Sequence, residues 1–151
     1  QYAKSQTEEK SVKININKLI SNILKKYDPS KYHFILNNVP EIQGRENLIK
    51  RCILNVIENG FAYGNKIFVE VKKSINNIVV TIEDDGPGIP KNEYPNVFRP
   101  FYRIDKSRGL NKSGVGLGLS VAQDITKSHG GNISLSESRY KGLLVKISFP
   151  F

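Results

Sequence analysis

The chain has 151 residues, of which 38% are hydrophobic and 25% charged, with a formal net charge of +9. That length and balance predict one domain with a single substantial core and exclude a disordered chain. No apolar run approaches the roughly 18–20 residues of a membrane helix, and a single cysteine, Cys52, excludes an internal disulfide or a Cys-based metal cluster.

No signal peptide is visible. The chain starts at Gln1 and contains no Met, so it reads as a piece of a longer protein whose membrane or targeting segments could lie outside it. The basic residues are scattered, with no basic run interleaved with aromatics, so no nucleic-acid partner is expected. A solvated basic surface is the plain reading. An anionic partner (a nucleotide, an acidic protein face or a membrane surface) is the alternative.

Residues 1–11 are polar and read as a linker or ragged end, with the domain proper at 12–151. Asn17 to Lys26 predicts an amphipathic helix with Leu19, Ile20, Ile23 and Leu24 on one face, stopped by Asp28-Pro29-Ser30. Tyr32 to Leu36 reads as a strand. Glu46 to Phe61 is the clearest helix: Leu48, Ile49, Cys52, Ile53, Val56 and Ile57 recur at helical spacing, and Cys52 belongs to that core stripe. Asn55 and Asn59, four apart, share a face at the stripe's edge. Two amides there are odd for a packing helix, since Asn is a poor helix former.

Ile67, Val69 and Val71, then Ile78, Val80 and Ile82, alternate as strands, with Asn76-Asn77 suggesting a tight hairpin. The second strand runs into Asp84, which is expected near the sheet's edge. Residues 90–113 show little periodicity and predict a long loop broken only by Phe98–Phe101. A helix is expected from Leu117 to Ser128, capped by Gly130-Gly131, and Ile133–Leu135 with Leu143–Phe149 form a last hairpin. The sum is an α+β two-layer sandwich, a mixed β-sheet with helices packed on one face.

Two glycine clusters carry the chemistry. Asp84-Asp85-Gly86-Pro87-Gly88-Ile89 puts an acid before a glycine turn, where a carboxylate can accept from an exocyclic amine. Gly114-Val115-Gly116-Leu117-Gly118-Leu119 opens a helix whose backbone N–H groups suit phosphate oxygens. Either Asp84 is the ligand acid or it is a turn acid supporting Gly86, which Asp85 could do equally well. Asn55 and Asn59 offer neutral oxygens fit for a Mg²⁺ that is otherwise held by phosphates and water. The alternative is one capping amide and one solvated amide. Phe98-Arg99-Pro100-Phe101 is a hydrophobic cluster or a lid anchor, with Phe98 and Phe101 as the fixed end. Arg103, Lys106, Arg108 and Lys112 make the loop beyond basic, suited to closing over a triphosphate or simply solvated. His129 precedes a helix cap and predicts a helix-end hydrogen bond. His33 has no catalytic pattern around it.

Across residues 12–150 the chain resembles the catalytic, ATP-binding domain of sensor histidine kinases, of the GHKL superfamily with its Bergerat fold. Leu54 to Asn59 is similar to the N box, Glu83 to Ile89 to the G1 box with Asp84 as the adenine-binding acid, Phe98 to Phe101 to the F box, and Gly114 to Leu119 to the G2 box. Ala62 to Asn65 and Phe101 to Asp105 look closest to osmosensor-type (EnvZ-like) kinases. The resemblance implies ATP and Mg²⁺ as cofactors, with Asn55 and Asn59 as catalytic and metal residues. The nucleotide contacts it implies come from those two with Tyr63, Lys66, Asp84, Gly86, Gly88, Ile89, Phe101, Tyr102, Arg103, Arg108, Gly114, Val115, Gly116, Leu117, Gly118 and Leu119. It also implies a phosphoacceptor histidine on a separate dimerisation domain and a response regulator as partners. The setting it implies is the cytoplasmic side of a bacterial inner-membrane sensor.

Two departures stand out. Ala62 replaces a basic residue that many relatives carry there, a contact that Lys66 could supply. Gly60 follows the second Asn where Ala is usual, at a cost of about 1 kcal/mol of helix stability. Hydrolysing relatives of the gyrase, Hsp90 and MutL kind carry a glutamate four positions before the second Asn. Here Asn55 stands there, and Glu58 lies about 100° around the helix from Asn59. Transfer to a protein histidine is therefore expected over hydrolysis. The rival readings are a nucleotide-binding regulatory module without transfer and a basic nucleic-acid-binding domain.

Overall fold

A computed structural model describes residues 9–102 and 118–151. The first strand, β1 (Val12–Ile14), pairs antiparallel with β3 (Ile42–Gly44) in a ribbon of its own, Val12 opposite Gly44. Helix α1 (Ile16–Leu24) starts at Asn15, whose side chain accepts from the Lys18 amide at 3.0 Å, satisfying one of the N–H groups that a helix start leaves unpaired. It buries Ile16, Leu19, Ile20, Ile23 and Leu24. Asp28 then caps a single 3₁₀ turn, Pro29–Lys31, before β2 (Tyr32–Leu36).

Helix α2 (Glu46–Tyr63) carries the long apolar stripe inward, with Leu48, Ile49, Cys52, Ile53, Val56, Ile57 and Gly60 buried. Strands β4 (Ile67–Lys73) and β5 (Asn77–Asp84) follow. The Ser74 amide donates to the Asn77 carbonyl at 2.8 Å, so the turn sits one residue earlier than the expected Asn76-Asn77. After the 3₁₀ turn Lys91–Glu93 comes the short helix α3 (Tyr94–Val97). The start of the segment expected to be a structureless loop is therefore ordered, with Val97 as its anchor in the core. Helix α4 (Gly118–Ser128), β6 (Asn132–Glu137) and β7 (Leu143–Pro150) complete the described chain.

The main sheet has the order β2-β4-β5-β7-β6. Only β2 and β4 are parallel, joined across α2, and every other neighbour is antiparallel. The expected mixed sheet with helices on one face is what forms, although the two three-residue strands β1 and β3 were not foreseen. One expectation needs correcting: β5 is the central strand, so Asp84 lies at the end of the sheet's middle and not near its edge.

The inner face is built from Ile67, Val69 and Val71, from Ile78, Val80 and Ile82, and from Leu143, Val145, Ile147 and Phe149, all buried against the helices. Each such side chain contributes on the order of 1.5–3 kcal/mol by leaving water. Between α2 and α4, the Cys52 thiol lies 3.4 Å from the Thr126 hydroxyl, which donates to the Ala122 carbonyl at 2.7 Å. Burial pushes that thiol up to about 11, so it is a core group.

Helix α4 ends as the glycine pair predicts. The Gly131 amide donates to the Thr126 carbonyl at 2.9 Å and the Gly130 amide to the Lys127 carbonyl at 3.0 Å, with Gly130 at φ +75°. His129 makes the expected helix-end bond, Nδ1 lying 2.8 Å from the Ile125 carbonyl. Its Nε2 accepts from the Arg45 amide at 3.0 Å, which ties the end of α4 to the start of α2. Glu9, inside the stretch expected to be linker, caps α2 from outside, accepting from the amides of Asn47 at 2.7 Å and Leu48 at 3.3 Å.

Candidate ATP-binding site

Helix α2 presents Asn55, Asn59 and Tyr63 at intervals of four, so they follow one face, and all three are half-buried. The Asn55 amide nitrogen donates to the Gly118 carbonyl at 3.3 Å, joining Asn55 to the first described turn of α4. That bond leaves the Asn55 oxygen as an acceptor. Glu58, by contrast, is exposed, as its position around the helix predicts.

Asp84 is only 4% exposed. Its Oδ1 accepts from the Gly86 amide at 2.9 Å and from the Leu143 amide at 3.3 Å. Among the described residues Oδ2 takes no hydrogen bond, so one oxygen holds the turn and the other is left for a donor. Burial raises the pKa of this carboxyl above the ordinary aspartate value. The two amide bonds oppose that, and the neighbouring Asp85 charge adds to it.

The two acids are engaged differently. The Asp85 Oδ1 accepts from the amides of Asn65 at 2.7 Å and Lys66 at 3.0 Å, fastening the α2–β4 connection beneath the glycine turn. Asp84 therefore supports Gly86 itself, and Asp85 is occupied elsewhere. Gly86 packs so closely against the Tyr63 carbonyl that a Cβ would overlap it. Gly142, from the β6–β7 connection, stands in the same relation to the Asp84 carboxylate and carbonyl. These two positions accept only glycine because backbone approaches backbone there.

The other predicted residues divide. Gly88 takes φ +76°, and Ile89 packs half-buried against the core. Leu119 is 6% exposed and belongs to the core, so its side chain is not open to a nucleotide. Lys66 is exposed, its amide held by Asp85. Phe101 corrects an expectation: it is 67% exposed at φ +67° and packs on no core among the described residues. Phe98 packs on the core, and Tyr102 supplies the second anchor, donating to Glu93 at 3.1 Å. Burial and that carboxylate push the Tyr102 hydroxyl up to about 12. Arg103, Lys106, Arg108, Lys112, Gly114, Val115, Gly116 and Leu117, and with them the expected lid, lie outside the described residues.

Sequence reasoning missed the β6–β7 connection, which supplies Gly142 and the Leu143 amide to Asp84. The available signal was a Lys141-Gly142 pair at the mouth of a predicted hairpin.

A two-layer sandwich of this order, with an acid at the end of its middle strand, defines the class first: the fold is that of histidine kinase catalytic domains. It superposes on the nucleotide-free catalytic domain of histidine kinase ThkA with a TM-score of 0.80 at 22% identity, covering 93% of this chain and 97% of that one. With full-length ShkA, solved with AMPPNP, the TM-score is 0.81 at 17% identity, over 99% of this chain and 34% of ShkA. In sequence the chain is 31% identical over 138 residues to the sensor histidine kinase GtrS of Pseudomonas aeruginosa, which covers 91% of this chain and 28% of GtrS. Residues 44–151 match the family described as histidine kinase-, DNA gyrase B- and HSP90-like ATPases. The chain belongs to that family and is an ATP-binding domain within it. It spans about a quarter of the length of the curated relatives it matches, between 24% and 28%.

Proposed function

We propose that this domain is the catalytic part of a two-component sensor histidine kinase, binding Mg-ATP and passing the γ-phosphate to a histidine on a separate dimerising hairpin, for relay to a response regulator. The observation that carries the transfer reading is Asn55. A hydrolytic base would stand at that position, and the nearest helix carboxylate, Glu58, is exposed on another face. With nothing on α2 to deprotonate water, an imidazole supplied from outside is the better nucleophile.

Asp84 accepts the adenine amine through Oδ2 while Oδ1 stays bonded to Gly86 and Leu143. Guanine presents a carbonyl at that position and would meet an acceptor with an acceptor. Asn55 and Asn59 place neutral amide oxygens on the phosphate side, a donor set that fits a hard divalent cation already neutralised by phosphate. Mg²⁺, when bound, would supply neutralisation of the phosphate charge. As the acceptor imidazole nitrogen bonds to the γ-phosphorus, the bond from that phosphorus to the β,γ-bridging oxygen breaks and ADP leaves. The domain contributes positioning and charge stabilisation. The remaining nucleotide contacts proposed are Tyr63, Lys66, Gly86, Gly88, Ile89, Phe101, Tyr102 and Gly118, with Arg103, Arg108 and the 114–117 glycines beyond the described residues.

Incubation with labelled ATP, alone and then with the acceptor hairpin of the full-length protein, tests this reading. Label should appear on the hairpin only, slowly because untethering loses proximity. The Asn59→Ala variant should fold normally and transfer nothing. Steady ATP hydrolysis without acceptor would overturn the proposal.

A further inference from the structure

The side chains of Glu83 and Asp84 leave β5 on opposite faces of the sheet, because strand side chains alternate. Asp84 faces the helices. Glu83 faces the side that no helix of the described residues covers, yet it is 4% exposed. A carboxylate so buried requires donors, and the β6–β7 connection supplies three. The Ser138 hydroxyl donates to Oε1 at 2.9 Å, the Arg139 amide to Oε1 at 3.3 Å, and the Arg139 guanidinium to Oε2 at 3.1 Å.

The same connection then crosses the end of the sheet and reaches Asp84 from the other side, through Gly142 and the Leu143 amide. It is internally closed: the Ser138 amide donates to the Gly142 carbonyl at 2.9 Å, and the Tyr140 amide donates to the Ser138 hydroxyl at 3.0 Å. Tyr140 stacks on Phe68 of β4 at 3.7 Å between ring centroids, and the Arg139 guanidinium lies 5.3 Å from the Tyr140 ring centroid. Five residues thus run from one acid to the next, pinned at both.

We propose that Glu83, with Ser138 and Arg139, is a positioning group for nucleotide selection: it latches the β6–β7 connection from the open face, so that Gly142 and the Leu143 amide form a fixed back wall behind Asp84. The wall holds Oδ1 and thereby aims Oδ2 at the base. This rests on the reading that Asp84 takes the adenine amine. Glu83 touches no substrate and acts only through Asp84. The latch is reachable from solvent, since a cleft of about 130 Å³ lined by His33, Phe68, Glu83, Arg139 and Tyr140 opens over it.

The test measures ATP and GTP affinity, together with thermal unfolding without nucleotide, for Glu83→Gln, Arg139→Met and Arg139→Lys. Arg139 has a side chain 64% exposed, so its variants fold even if the buried Glu83→Gln does not. Losing the charge-assisted latch should weaken ATP binding about tenfold while GTP binding changes little, so the ATP:GTP preference falls by a similar factor. Arg139→Lys should recover part of the preference. A lower unfolding temperature with the ATP:GTP preference intact would make Glu83 a purely structural acid and overturn the proposal. Asp84→Asn, run alongside, separates the two failures. If it too leaves the preference unchanged, the reading of Asp84 falls, and the latch with it.

Discussion

Gly60→Ala sets two known effects against each other. Gly60 is buried inside α2, one residue past Asn59. On helix propensity alone, alanine there is worth about 0.8–1.0 kcal/mol. A Cβ at Gly60 would, however, lie 2.9 Å from Ile67 Cγ2 and 3.8 Å from Asp84 Cβ. Ile67 Cγ2 sits on a β-branched carbon and moves only if χ1 rotates or the strand shifts, and β-branched side chains are stiff at χ1. Ile67 is fully buried and paired across the sheet with both Tyr32 and Asp84, so the strand has little room. Overpacking of this kind costs about 1–3 kcal/mol. The overlap should win, leaving the variant less stable by about 1 kcal/mol, or roughly 2–4 °C in Tm for a domain of this size.

Because Ile67 is the strand partner of Asp84, the same shift should weaken ATP binding. Ile67→Leu moves the branch off Cβ and removes Cγ2 at nearly constant volume. The double variant should therefore recover the propensity gain, a coupling that a double-mutant cycle measures. Thermal unfolding and ATP titration of the three variants decide the matter. A single Gly60→Ala that melts higher by the full propensity gain and binds ATP normally would refute the argument.

Asp84→Asn should weaken ATP binding about 10–100-fold, the worth of a hydrogen bond to a charged acceptor, whereas Asp85→Asn keeps an oxygen for the Asn65 and Lys66 amides and should do far less. Equal losses in a calorimetric titration would mean the wrong acid has been chosen. Since burial raises the Asp84 pKa, ATP affinity should fall as pH drops through that raised value, at a pH where an ordinary aspartate is still ionised. The fall should be absent in Asp84→Asn. His129 has its pKa lowered, first by burial. The folded state therefore binds fewer protons than the unfolded state between the lowered value and the unperturbed 6.5. The His129 contribution to stability is complete above about 6.5 and is lost as pH falls toward the folded value; denaturant unfolding of His129→Gln should show a flatter acid limb. Glu9→Ala removes the only side-chain cap on the start of α2 among the described residues, and should cost about 1 kcal/mol in chemical denaturation.

What the sequence discloses and what it hides follow from the range of each interaction. The strands of the main sheet and the three long helices are periodic over many residues, so their faces could be named in advance. Ile78, Val80 and Ile82 do lie inward, as do Leu48, Ile49, Cys52, Ile53, Val56 and Ile57 on α2. Strands β1 and β3 have three residues each and stabilise one another across 30 positions of chain (Lys13 opposite Gln43), leaving no periodic trace. The cap on α2 is similar. Arg45 holds the N-cap position and offers no acceptor, and the acceptor arrives from Glu9, 38 positions before the Asn47 amide that it meets. Local rules correctly expect a cap there but cannot say which residue provides it.

At the site itself, the motif order pointed to Asp84 as the acid proposed to take the base, but local chemistry could not separate it from Asp85. Either acid can support a glycine turn. The difference lies in partners brought from elsewhere: the Asn65 and Lys66 amides for Asp85, the Leu143 amide for Asp84. One mark of it shows only in the burial of β5. The strand alternates half-buried and buried residues from Asn77 to Ile82 and then ends with three buried positions in a row, Ile82, Glu83 and Asp84. A strand with one face bare to solvent should return to an exposed residue at Glu83. An acid there that is buried instead means that a second segment has crossed the sheet's end to cover it, and the segment that does so is the one that also reaches Asp84. The break in alternation and the proposed back wall behind Asp84 are thus one feature. Its cause is the five-residue connection 138–142, whose own sequence carries nothing to announce it beyond a turn.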